Sequence, residues 1–178
     1  NNKFFYKNIS NCVKTYTKLK NHLKANKDSK NPLYHSGMAW AAQRKLISKT
    51  GFPDINIIGG GDSIILAAAL GLHKTNFFKK YSANIKSMCE INTRWAELFW
   101  KGTNFGDLDH VEGLITHLYH GEQKNRNYNN RHSILQRNNF DPSTDISVNS
   151  EGLWEFRDNR DLLRSEIFEY FIQRDEDS

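Results

Sequence analysis

Apolar positions recur at the helical period in several stretches of this chain. Val13, Tyr16, Leu19 and Leu23 are spaced for one helix face within 11–26, and Lys14, Lys18, Lys20 and Lys24 fall between them, with Lys27 just beyond. The pattern predicts an amphipathic helix with a basic outer face, which in most such runs is a solvated face. Asn31-Pro32 breaks the segment, so 1–32 is expected to be a helix and linker ahead of a domain over 33–178. A second helix is expected from Ala39 to Lys49, stopped by Gly51. The run GFPDINIIGGGD then enters three consecutive glycines, and these predict a loop, because each glycine in a helix interior costs about 1 kcal/mol relative to Ala. Asp62 stands where a carboxylate would cap the next helix, Ser63 to Leu70, which is apolar all round and expected to be buried.

Farther along, Ile85, Met88, Trp95, Leu98 and Phe99 predict a helix between Ser82 and Trp100 with an aromatic stripe packed in the core. HVEGLITHLYH, His110 to His120, reads as a strand from its β-branched and aromatic residues. A polar loop, GEQKNRNYNNRH, follows, then a helix-like SILQRNNF and a turn at DPSTD. Leu163, Ile167, Tyr170 and Phe171 mark one face of a last helix, Asp161 to Gln173. Helices outnumber strands, but strands framing helices favour a mixed α/β layer over a bundle. Only two segments read as strands, too few for a complete sheet, and an incomplete domain is therefore expected.

Composition narrows the class. Hydrophobic residues make up 38% and aromatic residues 12% of the 178 positions, the balance of a folded domain with a polar surface and not of a disordered chain. Lys and Arg number 25 against 20 Asp and Glu, a net charge of +5, which allows attraction to phosphates without the basic density of a dedicated nucleic-acid binder. A nucleic-acid partner is not expected. The longest apolar run, Ile64 to Leu72, falls well short of the roughly 20 residues of a membrane span. Cys12 and Cys89 have no metal or redox spacing, and a reducing, cytoplasmic compartment is the expectation. The sequence opens on Asn1 and not on Met, so a fragment of a longer protein is also expected.

The most informative stretch is His35 to Asp62, HSGMAWAAQRKLISKTGFPDINIIGGGD. Gly37-Met38-Ala39-Trp40, then Gly51-Phe52-Pro53-Asp54, then Gly59-Gly60-Gly61-Asp62 resemble in order and spacing a motif of the GT-A glycosyltransferases, both the β-1,4-galactosyltransferase-like and the bacterial family 2-like members. HVEGLITHLYHGEQKNRNYNNR, 110 to 131, is similar to the late strand of that family, where a His at the strand end helps hold a divalent cation. GLWEF and the closing YFIQRDEDS resemble the family's C-terminal pattern. The likeness runs from about residue 33 to the end, and its specificity lies in the order of short motifs.

The resemblance implies an α/β fold, a GT-A-like mixed sheet with flanking helices, represented by its C-terminal, acceptor-side half and lacking the N-terminal nucleotide-binding half. It implies transfer of a sugar from a nucleotide-sugar donor to a carbohydrate or glycoconjugate hydroxyl. Such a hydroxyl is a poor nucleophile at neutral pH, so a positioned carboxylate must take its proton. Asp62 is the candidate base, on a loop whose Gly60 and Gly61 let backbone approach the sugars. Mn²⁺ or Mg²⁺ would neutralise the leaving nucleoside diphosphate, with His120 as the implied ligand. His117, three residues earlier, is a second candidate, although odd spacing in a continuous strand places the two rings on opposite faces. Arg126 and Arg131 could pair with phosphate oxygens and Tyr128 could stack on a sugar or base. Trp40 and His35 are candidates for the acceptor pocket, and Asp54 for holding the loop backbone.

The chain departs from the galactosyltransferase pattern at Ile57-Ile58, where a Trp is usual, and at Asp62-Ser63, where a Glu-Asp pair is usual. The single acid is the bacterial form, and donor and acceptor identity do not carry over. Asp107-Leu108-Asp109 matches a metal-binding Asp-x-Asp literally but follows the acceptor loop, the reverse of the family's order, and reads as a surface turn. Asp175-Glu176-Asp177 reads as terminal charge. A non-catalytic carbohydrate-binding or scaffolding protein on a degenerate version of the same fold is the alternative. A metal hydrolase built on Asp62, His117 and His120 lacks the paired-ligand helix motif such enzymes carry.

Overall fold

The computed structural model describes residues 39–103, 108 and 121–176. The helix read over 11–26 and the strand read over 110–120 lie outside the described residues. Those described form two compact units, the first from 39–82, 90–103 and 108, the second from 83–89 and 121–176.

In the first unit, α1 is Arg44–Thr50, shorter at its start than the helix read from Ala39. Ala39 to Gln43 are all exposed, and helix-forming residues with nothing to pack against do not offset the cost of nucleation. Gly51 ends the helix as expected, at φ 64° with its N–H donating to Ile47 O over 2.8 Å. Helix α2, Gly61–Ala69, buries Ser63, Ile64, Leu66, Ala67, Ala68 and Ala69. It stops through a paired set of backbone bonds: Leu72 N–H reaches Ala67 O over 2.7 Å and Gly71 N–H reaches Ala68 O over 3.0 Å, which satisfies two of its last carbonyls. Helix α3, Asn76–Tyr81, is capped by Thr75 Oγ1, which accepts from Phe78 N.

Helix α4, Lys86–Gly102, has its residues through Cys89 in the second unit, where Met88 is buried, and buries Asn92, Trp95, Ala96 and Phe99 in the first. Leu98, read as part of that stripe, is 50% exposed, since it lies about 100° from the centre of the buried face at 3.6 residues per turn. The first unit's core joins Ile64, Leu66, Leu70 and Leu72 to Phe78, Trp95 and Phe99, with the Trp95 and Phe99 rings stacked at 4.9 Å. Each large side chain so buried contributes about 1.5–3 kcal/mol.

In the second unit a 3-10 turn, Gln123–Arg126, is followed by α5, Ser133–Arg137, and α6, Pro142–Asp145. Antiparallel strands β1, Ile146–Val148, and β2, Trp154–Phe156, and helix α7, Asp161–Gln173, complete it. Among the described residues the sheet is this two-stranded hairpin, with Ile146 opposite Phe156 and Val148 opposite Trp154. The fold is therefore mainly helical with one small antiparallel sheet, roughly α/β. DPSTD, read as a turn, is the short α6, started by Asp141 Oδ1 accepting from Ser143 N and by Pro142 in the first turn. Neither strand was among the segments read as strands from sequence. The hairpin is set by its loop, where Asn149 Oδ1 accepts from Glu151 N at 3.0 Å and Leu153 N at 2.9 Å and Gly152 takes φ 81°. Ala83, Met88, Ile134, Leu135, Phe140, Ile146, Leu163, Ile167 and Tyr170 are buried hydrophobic residues of this unit. Phe171, read on the buried face of α7, is 43% exposed.

Candidate functional site

The Gly-rich loop is the best-defined candidate site in the first unit. Pro53, Ile55, Ile58 and Gly60 are buried, so an apolar run that could have been a strand serves as an anchor. Gly59 and Gly60 hold φ 100° and 102°, a region that costs an L side chain heavily and glycine almost nothing. Gly60 is the N-cap of α2 and brings no side chain to its open N–H groups. Asp62 supplies one, its Oδ1 accepting from Ser63 N over 2.8 Å, and its charge in the first turn suits the positive end of the helix dipole. Asp62 was expected to precede the helix. It sits inside the first turn because Gly61, released from the loop, begins α2. Among the described residues no hydrogen bond is donated to Asp62 Oδ2, and the side chain is only half-buried.

The loop is tied to α4 at two points. Trp95 Nε1 donates to Gly51 O over 3.3 Å. The side-chain amides of Asn56 and Asn92 bond reciprocally, Asn56 Nδ2 to Asn92 Oδ1 and Asn92 Nδ2 to Asn56 Oδ1, each at 3.2 Å. Asn56 Nδ2 also reaches Pro53 O at 2.8 Å, and Asn56 O accepts from Gly59 N at 2.8 Å. Asp54, the residue read as holding the loop, is exposed. Asn56 performs that task instead, since an amide offers both a donor and an acceptor where a carboxylate offers acceptors alone. Trp40 is 37% exposed and precedes α1 rather than starting it. His35 lies outside the described residues.

In the second unit three residues read from the polar loop come together. Arg126 Nη1 donates to Tyr128 OH over 3.2 Å, and the Arg131 guanidinium lies over the Tyr128 ring, 4.9 Å from its centroid. Arg126 is also paired with an acid: its Nη2 and that of Arg174 meet Glu176 Oε1 at 2.7 and 2.6 Å. Tyr170 OH donates to Arg126 O over 3.1 Å, which fixes the 3-10 turn against α7. Gly121, at φ 83°, is where the loop passes the end of α7, and a Cβ there would stand 2.6 Å from Arg174 O. Glu176, read as terminal charge, is thus the acid of this cluster.

His117 and His120 lie outside the described residues, and within those described no three His, Cys, Asp or Glu side chains come together as a metal site. Asn56, Asn92 and Glu176 were not singled out by sequence. Asn92 could have been, as a polar residue three positions before Trp95 on an otherwise apolar helix face. No helix among the described residues is long and apolar enough to cross a membrane. Comparison with protein-family models, curated proteins and solved structures finds no match for this chain.

Proposed function

We propose that the chain is the acceptor-side part of a GT-A-type glycosyltransferase, with Asp62 as the general base. The observation that carries this reading is the division of labour on one carboxylate: Asp62 Oδ1 is held by Ser63 N–H, which orients the group and leaves Oδ2 to take a proton. In the reaction the acceptor oxygen forms a bond to the anomeric carbon, the bond from that carbon to the donor's phosphate oxygen breaks, the hydroxyl proton passes to Asp62, and the nucleoside diphosphate leaves. The order of the motifs from Gly37 to Asp62 and from His110 to Arg131 supports the same reading. Arg126, Tyr128 and Arg131 are the residues assigned to the donor, by charge pairing and stacking. A bound Mn²⁺ or Mg²⁺ would supply charge neutralisation at the leaving diphosphate. His120 is the ligand assigned to it, with His117 as the second candidate.

A second reading, a carbohydrate-binding protein without transfer activity, is favoured by one observation: Glu176 already engages both Arg126 and Arg174. Titration calorimetry of the full-length protein with Mn²⁺ and uridine diphosphate, followed by an assay of diphosphate release on adding acceptor sugars, separates the two. Metal-dependent binding with acceptor-dependent release is the result expected for the transferase. Sugar binding without diphosphate binding would replace it by the second reading.

A further inference from the structure

We propose that Asn92 of α4 is the positioning residue that fixes the Gly-rich loop presenting Asp62, an inference that rests on the reading of Asp62 as the base. Asn92 is 1% exposed on the apolar face of α4, where an aliphatic side chain would be the ordinary choice for packing and for helix propensity. Its amide is nevertheless fully used. Nδ2 donates to Asn56 Oδ1 at 3.2 Å and to Ser82 Oγ at 3.0 Å, while Oδ1 accepts from Asn56 Nδ2. A buried amide satisfied on both its donor and acceptor sides specifies one geometry, because any shift leaves polar groups without partners in a low-dielectric interior. What Asn92 specifies is the place of Asn56, and Asn56 in turn holds Pro53 O and Gly59 N–H. Those bonds bracket the turn that ends at Gly60, the N-cap of the helix whose first turn carries Asp62. Trp95, one helical turn farther along the same face, holds Gly51 O, so the loop is fixed at its start and at its middle by one rigid helix.

The test uses Asn92→Leu, which keeps bulk and removes the amide, and Asn56→Ala, which removes the same pair from the loop side and leaves α4 intact. Amide hydrogen exchange in the full-length protein should show Gly59 exchanging at least about tenfold faster in both variants, with Leu66 and Ala67 of α2 unchanged. Transfer should fall about 100-fold in kcat, the cost of displacing a catalytic group by an ångström or so, with donor KM held within about twofold. The double variant should lose no more than either single one, since the two amides act as one unit. Unchanged Gly59 exchange in both variants, or loss of α2 protection in step with Gly59, overturns the inference. Should the unaltered protein transfer no sugar, the proposed function fails, and the exchange measurement alone decides whether Asn92 fixes the loop.

Discussion

Arg160 meets the buried carboxylate of Asp145 at 2.9 Å, and the same guanidinium nitrogen donates to Asn138 O at 2.6 Å. Asp145 Oδ2 also accepts from Asp141 N at 2.8 Å, and Oδ1 accepts from Thr144 Oγ1 at 3.1 Å. One carboxylate therefore joins the residue before α7, the end of α5 through their shared guanidinium, and both ends of α6. Removing it leaves the half-buried Arg160 guanidinium without its acid and the Asp141 N–H without an acceptor. Asp145→Ala is expected to destabilise the second unit by about 1–3 kcal/mol, the cost of leaving hydrogen-bond donors without their acceptor. The check is hydrogen exchange at Leu135 and Leu163, two fully buried core residues of that unit, which should lose protection together.

Gly71 offers a contrast between two glycines of the same backbone sign. It sits at φ 64° and an added Cβ would lie 3.1 Å from the Trp100 ring, whereas Gly51, also at φ 64°, has open space around it. Gly51→Ala should cost about 1–3 kcal/mol through backbone strain alone, because φ 64° with ψ −161° is a region essentially reserved for glycine. Gly71→Ala should add to its own positive-φ strain about 1–3 kcal/mol of overpacking against the Trp100 ring. Thermal unfolding of Gly71→Ala with and without Trp100→Leu measures that overpacking, and equal costs in the two backgrounds would mean that the Trp100 ring moves aside.

The two units should respond to acid in different ranges. Burial holds the His73 ring below its ordinary pKa of 6.5, against the pull of Glu97 and with a smaller push from Lys74. The folded value lies below the unfolded one, so the unfolded chain binds more protons on acidification. This contribution to stability is complete above about pH 6.5 and is lost as pH falls from there through the folded value. Unfolding followed between about pH 7.5 and 5.5 should show the first unit weakening, and His73→Gln should flatten that dependence.

Glu166 gives the second unit a lower window. The Arg137 guanidinium, with the Asn138 amide, holds its carboxyl below the ordinary 4.5. Its contribution is present above that value and is lost as pH falls through the folded one. Arg137→Gln should shift the acid unfolding of this unit upward in pH, by a small amount because the pair faces solvent.

Much of the first unit was legible in the sequence because it depends on local signals. The stop at Gly51, the glycine loop and the buried α2 follow from backbone permissiveness and from an unbroken apolar run, and α7 followed from four spaced apolar residues. The start of α1 was not legible, since Ala39 to Gln43 favour a helix by propensity and only the missing packing partners overrule it. The hairpin at 146–156 was missed because three-residue strands are too short to show alternation, and its signal lay in Asn149 and Gly152 instead. For the candidate site, sequence pointed to Asp62 and to the loop of Arg126, Tyr128 and Arg131. It marks Asn92 as a polar residue on an apolar helix face but gives no sign that its partner is Asn56, 36 positions away, or that Glu176 pairs with Arg126.

The most direct measurement is single-turnover transfer by the full-length protein with Asp62→Asn beside the unaltered chain. The asparagine keeps an oxygen for Ser63 N–H, so α2 should stay folded, but it has no group able to take the acceptor's proton. With donor binding unchanged, a fall of about 10²–10⁴-fold in the transfer rate is the expected result. Transfer at the unaltered rate would contradict the assignment of Asp62 as the base and with it the mechanism.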